Sequence, residues 1–340
     1  MASAKHISIL DPMRGVAALA VVLFHFTGSV LPTIRPNALT DPMAYGKLGV
    51  QVFFVISGFV IPYALQRSGY TWSGLWVFMA RRFTRIAPPA YVAALFMIAF
   101  YYSAIIINGH PVEGNEIPAI GWRSVIGNVT FMAEYMNTLW FNFVYWSLTA
   151  EFEFYLVIGL LFPLLRSGSP AWRVALILSA IALSSFIPGP KFFFYSAYFM
   201  LGILVYLWQE TTTNKGVLIG AGLLTVIVDL VHGNALAISV SIAAAAIIAT
   251  RTTARTAVTD WLGKVSYSLY IIHVPVAYFA ESIVKRLTDL HTTPSGKLVL
   301  LLCYLGLTFI ASELFHRWVE RPFINLSKRL GQPKNATLAT

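Results

Sequence analysis

The chain has 340 residues, of which 57% are hydrophobic and 11% are charged, and its mean hydropathy is +0.70. These values exclude an ordinary soluble domain and predict an all-α, polytopic membrane helix bundle. The 24 lysines and arginines exceed the 14 aspartates and glutamates, but they flank apolar segments, so we expect them to reflect membrane topology and expect no nucleic-acid partner.

Ten segments are long and apolar enough to cross a hydrocarbon core of about 30 Å. Most lysines and arginines fall on the side of this arrangement that holds both termini, which places the N- and C-termini in the cytoplasm. We therefore expect a multi-pass protein of the inner or plasma membrane, in contact with the lipid bilayer. The predicted spans are residues 9–31, 47–66, 87–108, 144–165, 172–188, 192–209, 215–231, 234–250, 262–285 and 297–318.

The first span carries two ionisable side chains, Arg14 and His25. Their spacing puts them on one helix face, about 16 Å apart along the axis. Ionisable groups at membrane depth are costly and usually face a bundle interior or a wet cavity, which makes both residues functional candidates. The alternative is that Arg14 anchors the helix at the interface and His25 is a hydrogen-bonded core residue.

The second span contains FFVISGF, Phe53 to Phe59. The small residues Ser57 and Gly58 let helices approach closely, and we expect packing to be their first role. A Ser57 nucleophile is the alternative, although no base lies near it in sequence.

The third span opens with ARRFTRIAPP, Ala80 to Pro89. Arg82 and Arg85 are three residues apart and share a helix face, where guanidinium groups can grip phosphate oxygens. Anchoring on the cytoplasmic side is the alternative. With Arg14 predicted at the same membrane level, the sequence favours a three-arginine phosphate clamp. The long outer connection that follows, 109–143, is either a lid or acceptor-binding segment or a surface-lying helix.

The fourth span contains WSLTAEFEFY, Trp146 to Tyr155. Glu151 and Glu153 are two residues apart and point to nearly opposite sides of a helix. Carboxylates inside a span are hard to explain by packing, so we expect a function for Glu151 and a pairing with a neighbouring helix for Glu153.

The ninth span adds a polar stripe of Ser266, Tyr270 and His273. By residue count, His25 and Glu151 lie about 10 Å from the outer face and His273 lies nearer the middle. The sequence thus predicts an outward-open cavity with arginines at its cytoplasmic end. A phosphate-bearing donor would enter from inside, and a histidine would act as general base toward an acceptor hydroxyl from outside. Metal chemistry is less favoured, since paired-ligand spacings are missing and Cys303 is the single cysteine.

Six motifs occur in one order: Arg14-x10-His25, FFVISGF, Arg82-x-x-Arg85 before proline, WSLTAEFEFY, SYSLYIIH and the VERP of Val319 to Pro322. Together they resemble the integral-membrane acyltransferase family 3, over essentially Ile7 to Pro322. The resemblance implies a ten-helix bundle that uses cytoplasmic acyl-CoA to acylate a hydroxyl, most often on a sugar. Members modify surface polysaccharides, lipopolysaccharide, lipid-linked glycans, nodulation factors and macrolides.

Carried over by matching position, the resemblance implies roles for individual residues. His25 is expected to be the catalytic base, with Glu151 as the second catalytic residue. Arg14, Arg82 and Arg85 are expected to bind the donor. The remaining candidates for substrate binding or cavity lining are Ser57, Trp146, Tyr267 and His273, while Glu320 falls in a motif position with a structural or cavity-lining role.

The sequence therefore predicts a membrane O-acyltransferase domain over 1–325 and a polar cytoplasmic tail over 326–340, with no appended soluble domain. Acetyl-CoA is the expected donor, a glycan or glycosylated molecule the expected acceptor, and no metal is expected. Two alternatives remain open. One is a transporter that uses the buried charges as a relay, and the other is an acyltransferase that acts on a lipid or a secreted small molecule.

Overall fold

A computed structural model describes residues 8–28, 30–31, 34, 40–108, 120–167, 169, 172–173, 179, 191–231, 235–252 and 255–331. Over these residues the protein is helical and contains no strand, as the composition predicts. In chain order the helices are α1 Leu10–Thr27, α2 Gly49–Arg67, α3 Leu75–Asn108, α4 Trp122–Val129, α5 Trp146–Ser167, α6 Lys191–Glu210, α7 Lys215–Val231, α8 Ala235–Thr250, α9 Ala257–Leu287, α10 Pro294–Phe315 and α11 Arg321–Arg329.

Short irregular helices join some of these elements. Four are 3₁₀ turns, at Asp41–Leu48, Trp72–Gly74, Phe143–Tyr145 and Leu290–Thr292, and a π-helical turn at His316–Glu320 links α10 to α11. Helix α11 ends at Arg329, inside the predicted tail, and the side chain of Arg81 donates to the carbonyl of Leu330 at 2.8 Å. The first residues of that segment are therefore ordered against α3.

Seven helical segments among the described residues are long and apolar enough to cross a membrane, and Ala235–Thr250 is a shorter apolar helix. Helices coincide with all the predicted spans except 172–188, which lies almost entirely outside the described residues. The polytopic helix bundle is thus confirmed. Helix α3 begins at Leu75, well before the predicted 87, because arginines interrupt an apolar run without ending a helix.

The contacts divide the chain into two units. The first unit comprises Met1–Val21, Tyr45–Gly74 and Trp146–Ser266, and the second comprises Val22–Ala44, Leu75–Tyr145 and Tyr267–Thr340. Arg14 therefore belongs to the first unit, and His25 to the second.

In the first unit, α2 and α6 pack through glycines. A Cβ added at Gly58 would lie 2.8 Å from the carbonyl carbon of Phe199, and one added at Gly202 would lie 2.7 Å from the amide nitrogen of Phe59. Real Cβ atoms do not come this close to backbone, so the two helices touch main chain to main chain. The packing role predicted for Gly58 is confirmed.

A proline in α5 explains a second contact of the first unit. Pro163 has no N–H, so the carbonyl of Gly159 loses its helical donor. The hydroxyl of Tyr70, in the turn after α2, donates to that carbonyl at 2.7 Å. A side chain from another element thus replaces the bond that the proline removes, as helices at membrane depth require.

In the second unit, residues 120–145 run from α4 back to the start of α5. Helix α4 turns Trp122, Ile126 and Val129 to the exterior and buries Asn128. The amide of Asn128 donates to the carbonyls of Ser124 and Leu139, both at 3.0 Å, and accepts from the N–H of Phe141 at 2.7 Å. The described part of the predicted outer loop therefore combines a short helix that has an apolar exposed face with irregular backbone that is mostly buried at residues 141–145.

Residues 129–145 also form hydrogen bonds with α3. Tyr145 donates its hydroxyl to the carbonyl of Ala90, and Tyr91 donates to the carbonyl of Val129, each at 2.5 Å. Irregular backbone is tolerated in a membrane bundle where protein groups satisfy its hydrogen bonds. The fold can thus hold residues 141–145 against the helices that carry the candidate site.

Candidate active site

His25 lies in the last turn of α1 and is buried in the second unit, with 9% of its surface exposed. Its imidazole is parallel to the ring of Phe143, with 5.0 Å between centroids and 2° between planes. The ring of His273, from α9, meets the imidazole edge-on at 5.1 Å. The structure thus brings two of the predicted candidates into contact and adds Phe143, which the sequence did not single out.

Asn142 explains how this cluster is held. Pro275 lies inside α9 and lacks an N–H, so the carbonyl of Ile271 loses its i+4 donor. Asn142 Nδ2 donates to that carbonyl at 2.8 Å. The hydroxyl of Tyr270, the residue before Ile271, donates to the carbonyl of Val144 at 3.1 Å. These two bonds fix the segment against α9 and place Phe143 on His25.

Three polar atoms of the cluster are buried and have no hydrogen-bond partner among the described residues: His25 Nδ1, His273 Nε2 and Asn142 Oδ1. His273 Nδ1 lies 3.2 Å from the carbonyl of Leu269, so this nitrogen carries the hydrogen and Nε2 presents a lone pair. An unsatisfied buried polar group costs about 1–3 kcal/mol. Buried polar atoms without protein partners, close to a histidine, are typical of a binding site for a polar molecule.

Asn142 is the functional candidate that sequence reasoning missed. The sequence did contain a signal for such a residue. Pro275 lies inside a predicted span, so the carbonyl of Ile271 needs a hydrogen-bond donor from another part of the chain. The sequence could not say which of the many side chains in the chain would supply it.

Tyr267 lies six residues before His273 on α9, nearer the cytoplasmic end in the predicted topology. Its hydroxyl donates to the carbonyl of Ile86 at 2.6 Å, which is next to Arg85 on α3. Arg85 and Arg82 are both half-buried, and the guanidinium of Arg82 lies over the ring of Phe78 at 5.7 Å. Tyr267 thus ties α9 to the helix that carries the arginine pair. Arg14 is also half-buried and belongs to the first unit.

Glu320 accounts for the closing VERP motif. Its Oε2 accepts from the hydroxyl of Ser268 at 2.6 Å and lies 2.9 Å from His316 Nδ1, and all three side chains are buried. The carboxylate stands between the hydroxyl and the imidazole, so the histidine cannot act as a base on the serine. These hydrogen bonds join the π-helical turn to α9.

Glu151 lies in the first unit, on α5. Its Oε1 accepts from the hydroxyl of Ser57 at 3.3 Å and from the hydroxyl of Tyr155. The structure therefore joins two predicted candidates, Ser57 and Glu151. Because the hydroxyl of Ser57 donates a hydrogen bond to the carboxylate, it holds Glu151 in place.

The other residues of the same motif lie nearby. Glu153 accepts from the backbone N–H of Phe192 at 2.6 Å, in the first turn of α6, so its predicted pairing with a neighbouring helix is confirmed. The half-buried ring of Trp146 lies 5.1 Å from that of Tyr195 and 6.5 Å from that of Phe54. Trp146 is thus part of an aromatic group.

Among the described residues, no group of three or more histidine, cysteine, aspartate or glutamate side chains could hold a metal ion.

The comparisons with known proteins agree with a group-transfer enzyme of the membrane. Residues 7–317 match the family described as an acyltransferase domain. The chain belongs to this family, the integral-membrane acyltransferases that its motifs resemble, and is an acyltransferase.

The chain is similar to two named proteins. The acyltransferase MdmB of Streptomyces mycarofaciens is 25% identical over 94% of this chain and 92% of its own length. The peptidoglycan O-acetyltransferase OatA of Listeria monocytogenes serovar 1/2a is 26% identical over 46% of this chain and 24% of its own length. The chain thus spans nearly all of the first relative and about a quarter of the second. No solved structure is significantly similar to the chain.

Proposed function

We propose that this acyltransferase moves an acyl group, acetyl in the simplest case, from acyl-CoA to a hydroxyl of a glycan or glycosylated acceptor at the inner or plasma membrane. The observation that carries the proposal is the buried contact of His25 with His273 and Phe143, surrounded by polar atoms that have no protein partner among the described residues. A family of acyltransferases needs a base for its acceptor hydroxyl, and His25 is the histidine built into such a place.

In the proposed reaction, His25 takes the proton of the acceptor hydroxyl as its oxygen bonds to the thioester carbonyl carbon. The carbon–sulfur bond then breaks, and the sulfur leaves as the thiol of CoA after it receives that proton. The products are an ester and free CoA, so no other reactant is needed. General base catalysis of this kind contributes about 10²–10⁴-fold to a rate.

Glu151 is proposed to be the second catalytic residue, acting through its carboxylate. Two hydroxyl groups, from Ser57 and Tyr155, already donate to one of its oxygens. These bonds fix the position of that oxygen. This assignment leaves proton transfer to the histidine.

The donor is proposed to bind through Arg14, Arg82 and Arg85, with the phosphates of CoA on the cytoplasmic side. Guanidinium groups bind phosphate oxygens through two parallel hydrogen bonds, and half-buried ones are screened less than exposed ones. The bond from Tyr267 to Ile86 would keep the arginine-bearing part of α3 in register with α9.

The acceptor is proposed to approach from the outer side. The name of the relative OatA, a peptidoglycan O-acetyltransferase, supports a glycan acceptor. In the predicted topology, Trp146 stands at the outer end of α5, where its ring and that of Tyr195 offer apolar faces on which sugar rings can stack.

The test is a transfer assay with the purified protein in liposomes, radiolabelled acetyl-CoA and a panel of glycan, lipid and small-molecule alcohols. We expect acylated glycan with release of CoA, and loss of this product by about 10²-fold or more in His25→Ala. His291→Ala is the matched control, because His291 lies in a 3₁₀ turn apart from the cluster and should keep full activity. Normal transfer by His25→Ala would reject the assignment, and substrate uptake without CoA release would favour a transporter.

A further inference from the structure

The side-chain amide of Asn142 uses its nitrogen for hydrogen bonds and leaves its oxygen without a donor. Its Nδ2 is committed to the carbonyl of Ile271, and its side chain is fully buried. Because that carbonyl only accepts, the amide orientation is fixed, with nitrogen toward Ile271 and oxygen away from it. Oδ1 therefore points into the protein with no donor among the described residues.

The contrast with Asn128, in the same segment, makes this unusual. Both hydrogen-bonding ends of Asn128 are used, by Ser124, Leu139 and Phe141. An asparagine that only shaped the segment would be satisfied in this way. Asn142 instead keeps a rigidly held acceptor beside the ring that stacks on His25, since Phe143 is the next residue.

We infer that Asn142 is an acceptor-binding residue. Its Oδ1 accepts a hydrogen bond from an O–H or N–H group next to the hydroxyl that is acylated, while His25 takes the proton of that hydroxyl. The inference rests on the proposed function and deepens it. It assigns the acceptor to molecules with neighbouring polar hydrogens, such as vicinal diols and 2-acetamido sugars, over simple alcohols.

A purely structural role of Asn142 can be separated from acceptor binding, because a substitution at Pro275 can compensate for the lost hydrogen bond to Ile271. Pro275→Ala restores an N–H to α9, which can donate to the carbonyl of Ile271 in place of Asn142. The double variant Asn142→Leu with Pro275→Ala therefore keeps the helix satisfied but lacks Oδ1. Any defect it shares with Asn142→Leu and not with Pro275→Ala does not come from an unsatisfied carbonyl of Ile271.

The experiment measures kcat and KM for two acceptors, a peptidoglycan disaccharide with its 2-acetamido group and the matching 2-deoxy compound, with acetyl-CoA as donor. We expect the wild type and Pro275→Ala to prefer the acetamido acceptor by about tenfold or more, since a site that hydrogen-bonds a substrate group discriminates against its absence. In the double variant this preference disappears through the acceptor KM, while the donor KM is unchanged.

A preference retained in the double variant, or missing from the wild type, overturns the inference. Failure of the proposed function looks different, because the wild type then consumes no acetyl-CoA with any acceptor. In that event the dissociation constants of the same two disaccharides are compared for the same variants. The loss of discrimination in the double variant still supports Asn142 as a ligand, and equal constants in the wild type reject it.

Discussion

The imidazole of His25 and the phenyl ring of Phe143 are parallel to within 2°, with 5.0 Å between their centroids. The stacked ring of Phe143 limits rotation of the imidazole about its Cβ–Cγ bond. A base held in this way meets its substrate in one orientation. The neighbour that fixes Phe143 is Asn142, whose amide is bound to Ile271. The orientation of His25 thus depends on a proline-broken turn of another helix.

Replacing Phe143 with alanine should therefore impair catalysis without removing the base. An aromatic pair contributes about 0.5–1.5 kcal/mol beyond its buried area, so we expect kcat to fall by up to about tenfold. Phe143→Tyr keeps the stacked face and should retain most of the activity. Steady-state transfer assays at matched protein levels measure kcat for these variants. Equal rates for Phe143→Ala and the wild type would show that the stacked ring does not orient the base.

The arginine assignment predicts a defect confined to the donor. Arg14→Ala, Arg82→Ala and Arg85→Ala should each raise the KM for acetyl-CoA by about tenfold or more, because a charge-assisted hydrogen bond contributes about 1.5–3 kcal/mol. The lysine variants keep the charge but lose the forked geometry, so they should recover only part of the affinity. Titrations of the donor at saturating acceptor measure the effect.

A matched control is Arg317, in the π-helical turn, which is mostly exposed and pairs with Glu313, four residues earlier at the end of α10. Arg317→Ala should leave the donor KM unchanged, since exposed pairs of this kind contribute little. Acetyl-CoA without its 3′-phosphate identifies the contact further. The arginine that binds this phosphate is the one whose alanine variant no longer distinguishes the two donors.

Much of the bundle was predictable because its signal is local. Runs of apolar residues located the helices around Arg14, Glu151 and His273, and the stripe of polar residues on α1 correctly indicated that His25 avoids the lipid. The interior position of Gly58 also followed from its size. In these cases the information lies within one or two helical turns, where the helical period can be read directly.

The segment that completes the site was not predictable in the same way. Residues 128–145 have no period, and their structure depends on partners far away in sequence, such as Ile271 for Asn142 and Ala90 for Tyr145. The sequence offered two interpretations of this connection and could not choose between them. The burial of residues 141–145 becomes recognisable only when the carbonyls that this segment satisfies are known.

Ser57 offers a test of whether the acyl group rests on the enzyme. Its hydroxyl donates to Glu151, 3.3 Å away, and we expect Ser57→Ala to cost only a few-fold in kcat, in line with one hydrogen bond of about 0.5–1.5 kcal/mol. Glu151→Gln removes the charge and should cost much more. Rates for the two variants, with mass spectrometry of the protein after exposure to acetyl-CoA, provide the measurement. Complete inactivity of Ser57→Ala, together with an acylated wild-type serine, would make Ser57 the nucleophile.

The glycine contact between α2 and α6 predicts a defect in stability. A Cβ at Gly58 would lie 2.8 Å from the carbonyl carbon of Phe199, so Gly58→Ala must push two backbones apart. Overpacking of this kind costs typically about 1–3 kcal/mol, and thermal unfolding in detergent should show a lower midpoint.

Gly220, on α7, is the control, because a Cβ there would meet nothing within 4 Å among the described atoms. Alanine at that position should leave the midpoint unchanged or raise it, since alanine favours the helix over glycine by about 1 kcal/mol. Similar midpoints for the two variants would mean that α2 and α6 can separate freely, and Ser57, the residue before Gly58, would then not be held against Glu151 by the packing of these helices.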